Sequence, residues 1–128
     1  MVNDARQFQG VFSIMSVEHA NALVEKARGG TPMELIVNRE VSTKMREEPY
    51  LEKMIALSSF NNFSVRVFPD PLHLGLAITD SSLSLGLYKN DRITYDVTTN
   101  IFSHDLHAIA WGKKVFQYYQ DRSTPMKF

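Results

Sequence analysis

The sequence predicts an α/β domain whose mixed sheet has parallel early strands and an antiparallel meander, flanked by helices. Three observations carry this: a strand, helix, strand unit at the start, three alternating apolar runs in the second half, and one long closing helix. At 128 residues the chain falls where single-core domains are commonest, and 44% hydrophobic against 22% charged residues suits a globular core. The expected organisation is a flexible segment over residues 1–9 and one α/β domain over residues 10–125.

The first expected strand is Gly10-Val11-Phe12-Ser13-Ile14-Met15, short, apolar and β-branched or aromatic. Ser16 follows as a helix cap with Glu18 in the first turn, and Val17, Ala20, Leu23, Val24 and Ala27 recur on one helical face. Gly29-Gly30 supplies a left-handed stop. Met33–Val37 is the second strand, and the strand, helix, strand unit it completes favours parallel pairing. From Glu40 to Ser58 the pattern is helical with a break at Pro49, because proline cannot sit inside a helix. Phe63–Phe68 is the third strand.

After Pro69-Asp70-Pro71 the period changes to two: Leu72-Leu74-Leu76-Ile78, Leu83-Leu85-Leu87 and Ile93-Tyr95-Val97. Asp80-Ser81-Ser82 and Lys89-Asn90-Asp91-Arg92 are the expected turns, one at each end of the meander. The last helix runs from a Ser103 cap to about Asp121 and carries Leu106, Ile109, Trp111, Phe116, Tyr118 and Tyr119. Its apolar surface is broad enough to cover a sheet and leave some for a partner subunit, or it is a closing helix that simply packs its aromatics inside. Trp111-Gly112 inside it implies tight packing, since glycine weakens a helix by about 1 kcal/mol against alanine.

Composition excludes several function classes. Lys and Arg total 14 and so do Asp and Glu, so no net field draws the chain to phosphate backbones or anionic lipid. Cysteine is absent, which removes disulfides, a thiolate nucleophile and cysteine-ligated zinc. No apolar run reaches the roughly 18 residues of a membrane span, and no secretory signal opens the chain, so the expectation is a cytoplasmic protein without membrane contact. No cofactor and no metal are expected: His104 and His107 could offer two ligands from one helix face, but no third stands at a metal-site spacing.

No phosphate-binding loop, dinucleotide fingerprint, nucleophile elbow or zinc-protease motif occurs. His73, Gly75 and Asp80 fall on the His-x-Lys-x-x-x-x-Asp spacing of the phospholipase D superfamily, at the start of the fourth strand. In that superfamily the histidine is the nucleophile and the lysine neutralises phosphate. Here glycine replaces the lysine, so the spacing reads as a phospholipase D-like fold without catalysis, and no catalytic residue is assigned. It reads equally as chance, with His73 an ordinary strand-edge residue and Asp80-Ser81-Ser82 an ordinary turn.

The stretch from Gly75 to Tyr88 and the later Ala108-Ile109-Ala110-Trp111-Gly112-Lys113-Lys114-Val115-Phe116-Gln117-Tyr118-Tyr119 together resemble the methanogenesis regulatory family of archaeal transcription regulators. The resemblance extends from Gly10 to Pro125, and the Trp-Gly-x-x-x-Phe-x-x-Tyr tail is its most specific part. It implies a non-catalytic regulatory domain that senses a signal and passes it to a winged helix-turn-helix head, with DNA reached only through that head. The implied partners are a second copy of the chain and an unidentified small-molecule effector. With Met1 as the natural start, the chain reads instead as a stand-alone relative.

Open α/β sheets bind ligands outside the carboxyl ends of their parallel strands. The expected effector site therefore comprises Ser16, Asn38 and Arg39 from the first two strands, Asp70 after the third, His73 at the start of the fourth and Lys89 at the end of the fifth. Arg39 could hold an anionic group in a bidentate fork or serve as a surface ion-pair residue. The rival functions are a small phosphodiesterase or nuclease built from two chains, and a purely structural pairing domain.

Overall fold

The computed structural model describes residues 7–88 and 95–127. The elements run β1 (Phe8–Phe12), α1 (Val17–Arg28), β2 (Met33–Val37), α2 (Arg39–Met45), α3 (Tyr50–Ser58), β3 (Phe63–Val67), β4 (Leu74–Thr79), β5 (Leu83–Tyr88), β6 (Tyr95–Ser103), α4 (Leu106–Asp121) and β7 (Thr124–Pro125). The strands form one mixed sheet in the order β6-β5-β4-β1-β2-β3-β7. β1, β2 and β3 are parallel, and β4, β5 and β6 form the antiparallel meander joined to β1. This is the mixed α/β architecture the sequence predicts.

The alternation of side chains along each strand divides the core into two layers. Phe8, Met33, Leu35, Val37 and Val65 pack under α1, α2 and α3 with Ala20, Leu23, Met45, Met54 and Leu57. Val11, Ile36, Leu76, Ile78, Leu83 and Leu85 face α4, meeting Ile109 and Phe116. Gly112 lets α4 lie close to the meander: a Cβ there would overlap Leu83 Cδ1 and stand 3.3 Å from Ile78 Cδ1. The tight packing implied by Trp111-Gly112 is thus a helix-to-sheet contact at Gly112, while Trp111 itself is 49% exposed.

Several boundaries differ from those read in the sequence. β1 begins at Phe8, inside the segment assigned to a flexible terminus, because Phe8 pairs with Met33 and Thr79 and is buried; it ends at Phe12. Ser13-Ile14-Met15 is the connection to α1, and Ile14 is exposed. Ser103 does not cap the last helix: it ends β6, paired with Leu83, and its hydroxyl accepts the Asp105 amide. Asp105 is the cap, its carboxylate accepting the amides of His107 and Ala108. Leu106 stands 77% exposed. Of the two glycines after α1, Gly30 takes the left-handed conformation, at φ 90°. β7 has no counterpart in the sequence reading, and the Lys89–Arg92 turn lies outside the described residues.

β7 is short and held from the sheet's edge. Arg66 Nε donates to Ser123 Oγ at 2.8 Å and Nη2 to the Ser123 carbonyl at 2.7 Å, and the Met126 amide donates to the Val65 carbonyl. On the same sheet face, Glu34 accepts from Gln9 of β1 and Gln120 of α4, tying two strands to the helix through one carboxylate.

Candidate functional site

The register places the carboxyl ends of β1, β2 and β3 together at Phe12, Val37 and Val67. β4 runs antiparallel to β1, with Val11 opposite Leu76 and Phe8 opposite Thr79, so it begins at this edge, and β5 ends there opposite Leu74. Ser16, Asn38, Arg39, Asp70 and His73 therefore stand in loops or at element ends along one edge of the sheet. Lys89 lies outside the described residues.

Two of these side chains are occupied in capping. Ser16 caps α1: its hydroxyl accepts the His19 amide at 3.2 Å, and its own amide donates to His19 Nδ1 at 3.3 Å. Asn38 caps α2 from a position only 8% exposed, accepting the Val41 amide at 2.8 Å through Oδ1 and donating from Nδ2 to the Ser13 carbonyl at 3.3 Å. A buried amide satisfied on both ends fixes the β1–α1 connection against the start of α2. Lys44 adds a second tie, donating to the Met15 carbonyl at 3.2 Å with its ammonium 5.3 Å from the Tyr50 ring. Arg39, Asp70 and His73 are exposed.

Ser13, which the sequence reading left inside a strand, is the residue it missed at this edge. The residue is 5% exposed, and Oγ has no hydrogen-bond partner among the described residues. A buried hydroxyl left unsatisfied costs free energy, so it needs a reason. The available signal was a serine at the carboxyl end of an apolar run, just before a helix start.

The phospholipase D-type spacing separates into two places. His73 precedes β4 at the carboxyl edge, whereas Asp80 follows it at the opposite edge, about 23 Å away at the rise of an extended strand. Between them, Gly75 pairs with Gly86, so the position where that spacing would put a lysine carries no side chain. Asp80-Ser81-Ser82 forms a tight turn: Thr79 Oγ1 and Ser82 Oγ are 2.8 Å apart, the Ser81 amide donates to Thr79 Oγ1, and the Thr79 amide donates to the Ser82 carbonyl. His104 Nδ1 lies 2.9 Å from the Ser81 carbonyl and His107 Nδ1 3.5 Å from Asp105, so the two histidines of the last helix region serve different neighbours. Among the described residues, no three His, Asp or Glu side chains are placed to hold a metal ion.

Among the described residues, two concavities lie away from the carboxyl edge. One, of about 290 Å³, opens beside Glu25, Lys26 and Thr31, where burial lowers the Lys26 pKa from its ordinary value. The other, of about 470 Å³, runs along the outer side of β3 between Ser58, Arg66, Gln120 and Met126. Among the described residues, no helix is long and apolar enough to cross a membrane.

Together the sheet order and the two helical layers define a mixed α/β domain with helices on both faces of one sheet. Solved structures share the fold. The chain aligns over 98% of its length with 47% of TrmBL2, described as an archaeal chromatin protein with a novel mode of DNA binding, at a TM-score of 0.77 and 13% identity. It aligns over 99% of its length with 86% of Nuc, a phospholipase D family member from Salmonella typhimurium, at a TM-score of 0.70 and 10% identity. Residues 1–122 match the family described as the middle domain of methanogenesis regulatory protein FilR1, and the chain belongs to that family. Methanogenesis regulatory protein FilR1 of Methanothrix harundinacea (strain 6Ac) is 32% identical over 101 residues, which are 77% of this chain and 22% of the relative. The chain thus spans about a fifth of that relative's length.

Proposed function

We propose that this chain is the signal-sensing and pairing domain of an archaeal transcription regulator, a cytoplasmic module that binds a small effector and reaches DNA through a winged helix-turn-helix carried elsewhere in the assembly. The observation that carries this reading is family membership over nearly the whole chain, combined with a glycine at the position where a phospholipase D enzyme needs its lysine. The effector binds at the carboxyl edge of β1, β2 and β3, where Arg39 and His73 are exposed beside the buried Ser13 and Asn38.

The test is a thermal-stabilisation screen of small anionic and neutral metabolites, because a ligand that binds the folded state raises its stability by mass action. A stabilising compound should lose its effect on Arg39→Ala and on His73→Ala. Chemical-shift changes confined to the Asp80-Ser81 turn at the opposite edge would overturn the placement. The phospholipase D fold supports a second reading, phosphodiester hydrolysis, which predicts turnover of a generic phosphodiester that disappears on His73→Ala. We expect no turnover.

A further inference from the structure

The groove beside β3 exists because β7 is so short. Among the described residues β7 pairs with Arg66 and Val67, which leaves the first half of β3 without a strand on its outer side. The Asn62 carbonyl accepts the Met33 amide, and in a parallel ladder the next residue then turns its main-chain groups the other way. Phe63 therefore directs its amide and carbonyl outward at this edge. Side chains alternate between the two faces. Phe63 and Val65 pack with the layer under α1, α2 and α3, whereas Ser64 and Arg66 stand on the face of α4 with Gln120. Pro125, Met126 and Lys127 complete the lining. Its volume of about 470 Å³ falls among small-molecule sites, which run from about 300 to about 1,000 Å³.

The lining is apolar at Phe63, Val65 and Met126 and positive where it is charged. It holds Arg66 and Lys127 and no acid, and no ion pair joins either cation to a carboxylate among the described residues. The acids next to Gln120 in space and in sequence are already occupied: Glu34 accepts from Gln9 and Gln120, and Asp121 accepts from Gln117. Arg66 commits Nε and Nη2 to Ser123, and its fork retains the donors of Nη1. Held this way, the guanidinium is ordered before anything binds and loses little entropy on binding.

We propose that this groove binds a small organic acid, a carboxylate on a short apolar body. The carboxylate sits between Arg66 Nη1 and the Lys127 ammonium, and the apolar body lies along Phe63 and Met126. Such a ligand bridges β3 and the chain that follows β7, so it ties β7 to the edge more firmly than the Arg66–Ser123 contact does alone. The site is separate from the effector placement at the carboxyl edge, where Arg39 and His73 stand, and the two readings succeed or fail independently.

The test is an amide chemical-shift titration with hexanoate, set against hexanol, hexylamine and inorganic phosphate. We expect hexanoate to give saturable shifts at Ser64, Arg66, Gln120 and Met126 and to slow amide exchange at Met126. Hexanol should bind at least about tenfold more weakly, the loss of one charge-assisted contact. Hexylamine and phosphate, one lacking the anion and the other the apolar body, should leave these amides unshifted. Arg66→Ala should abolish binding but also frees β7, so Lys127→Gln at an exposed position is the companion variant. It should weaken hexanoate about two- to threefold with Tm unchanged. Equal binding of hexanol and hexanoate, or unchanged affinity in Lys127→Gln, would overturn the proposal. So would the absence of saturable shifts, or shifts confined to Arg39 and His73, which would instead support the carboxyl edge. A tetra-alanine peptide that shifts the Phe63 and Val65 amides where hexanoate does not would assign the groove to an added strand.

Discussion

Replacing Gly112 by alanine sets two opposing effects against each other at one site. Alanine in place of glycine favours a helix interior by about 1 kcal/mol. The added methyl overlaps Leu83 Cδ1 and stands 3.3 Å from Ile78 Cδ1 and Cγ1, and those side chains are only 2% and 1% exposed, so neither can move into solvent. Overpacking of this kind costs about 1–3 kcal/mol. The clash wins on balance, and Gly112→Ala should lose about 1 kcal/mol, or about 3–6 °C in Tm for a domain of this size. Thermal unfolding by circular dichroism reads the single mutant, and Leu83→Val completes a double-mutant cycle. Shortening Leu83 opens the space the methyl needs, so the pair should be more stable than the sum of the singles by at least about 0.5 kcal/mol. Additive effects, or a higher Tm for Gly112→Ala alone, would refute the argument that α4 is held close to β4 and β5 by this glycine.

Asn38→Ala removes a helix cap and strands the Ser13 carbonyl, so it should cost about 1–3 kcal/mol, read as a lower urea midpoint with an unchanged slope. Ser13→Ala should act the other way, raising stability by about 1 kcal/mol by removing an unsatisfied buried hydroxyl; a loss of stability would show that the hydroxyl has a partner in solution. Arg66→Ala should release β7 and accelerate amide exchange at Met126, whose N–H bonds to Val65, without unfolding the rest of the sheet. Burial, with the neighbouring Tyr118, raises the Tyr119 pKa above its ordinary 10.0, so the folded state keeps the phenol proton that the unfolded chain gives up. The resulting stabilisation is complete below pH 10 and is lost as pH rises through the folded pKa. Wild-type protein should therefore lose more stability than Tyr119→Phe above pH 10, and parallel curves would contradict this.

Much of the fold was legible because local chemistry and packing agreed. Met33–Val37 is the observed β2 residue for residue, since an apolar β-branched run between Pro32 and Asn38 offers the backbone no alternative. The break at Pro49 separates α2 from α3, and Ser16 caps α1 as its spacing required. The meander followed from period-two alternation. The expected edge also emerged, because β4 must run back from the short connection at Pro69–Pro71.

Sequence by itself therefore determined the fold class, the parallel and antiparallel halves of the sheet and the family. Tertiary structure alone decided what depends on partners distant in the chain. Phe8 belongs to β1 because Met33 and Thr79 flank it, and Ser103 ends a strand because Leu83 pairs with it, although serine before an acidic residue reads locally as a cap. β7 exists because Arg66 grips Ser123 across 57 residues, and no window of two residues ending in proline signals a strand. Gly112 faces the sheet while Trp111, its neighbour, stands in solvent: the helical period fixes their relative angle, but only the position of the sheet decides which of the two is buried.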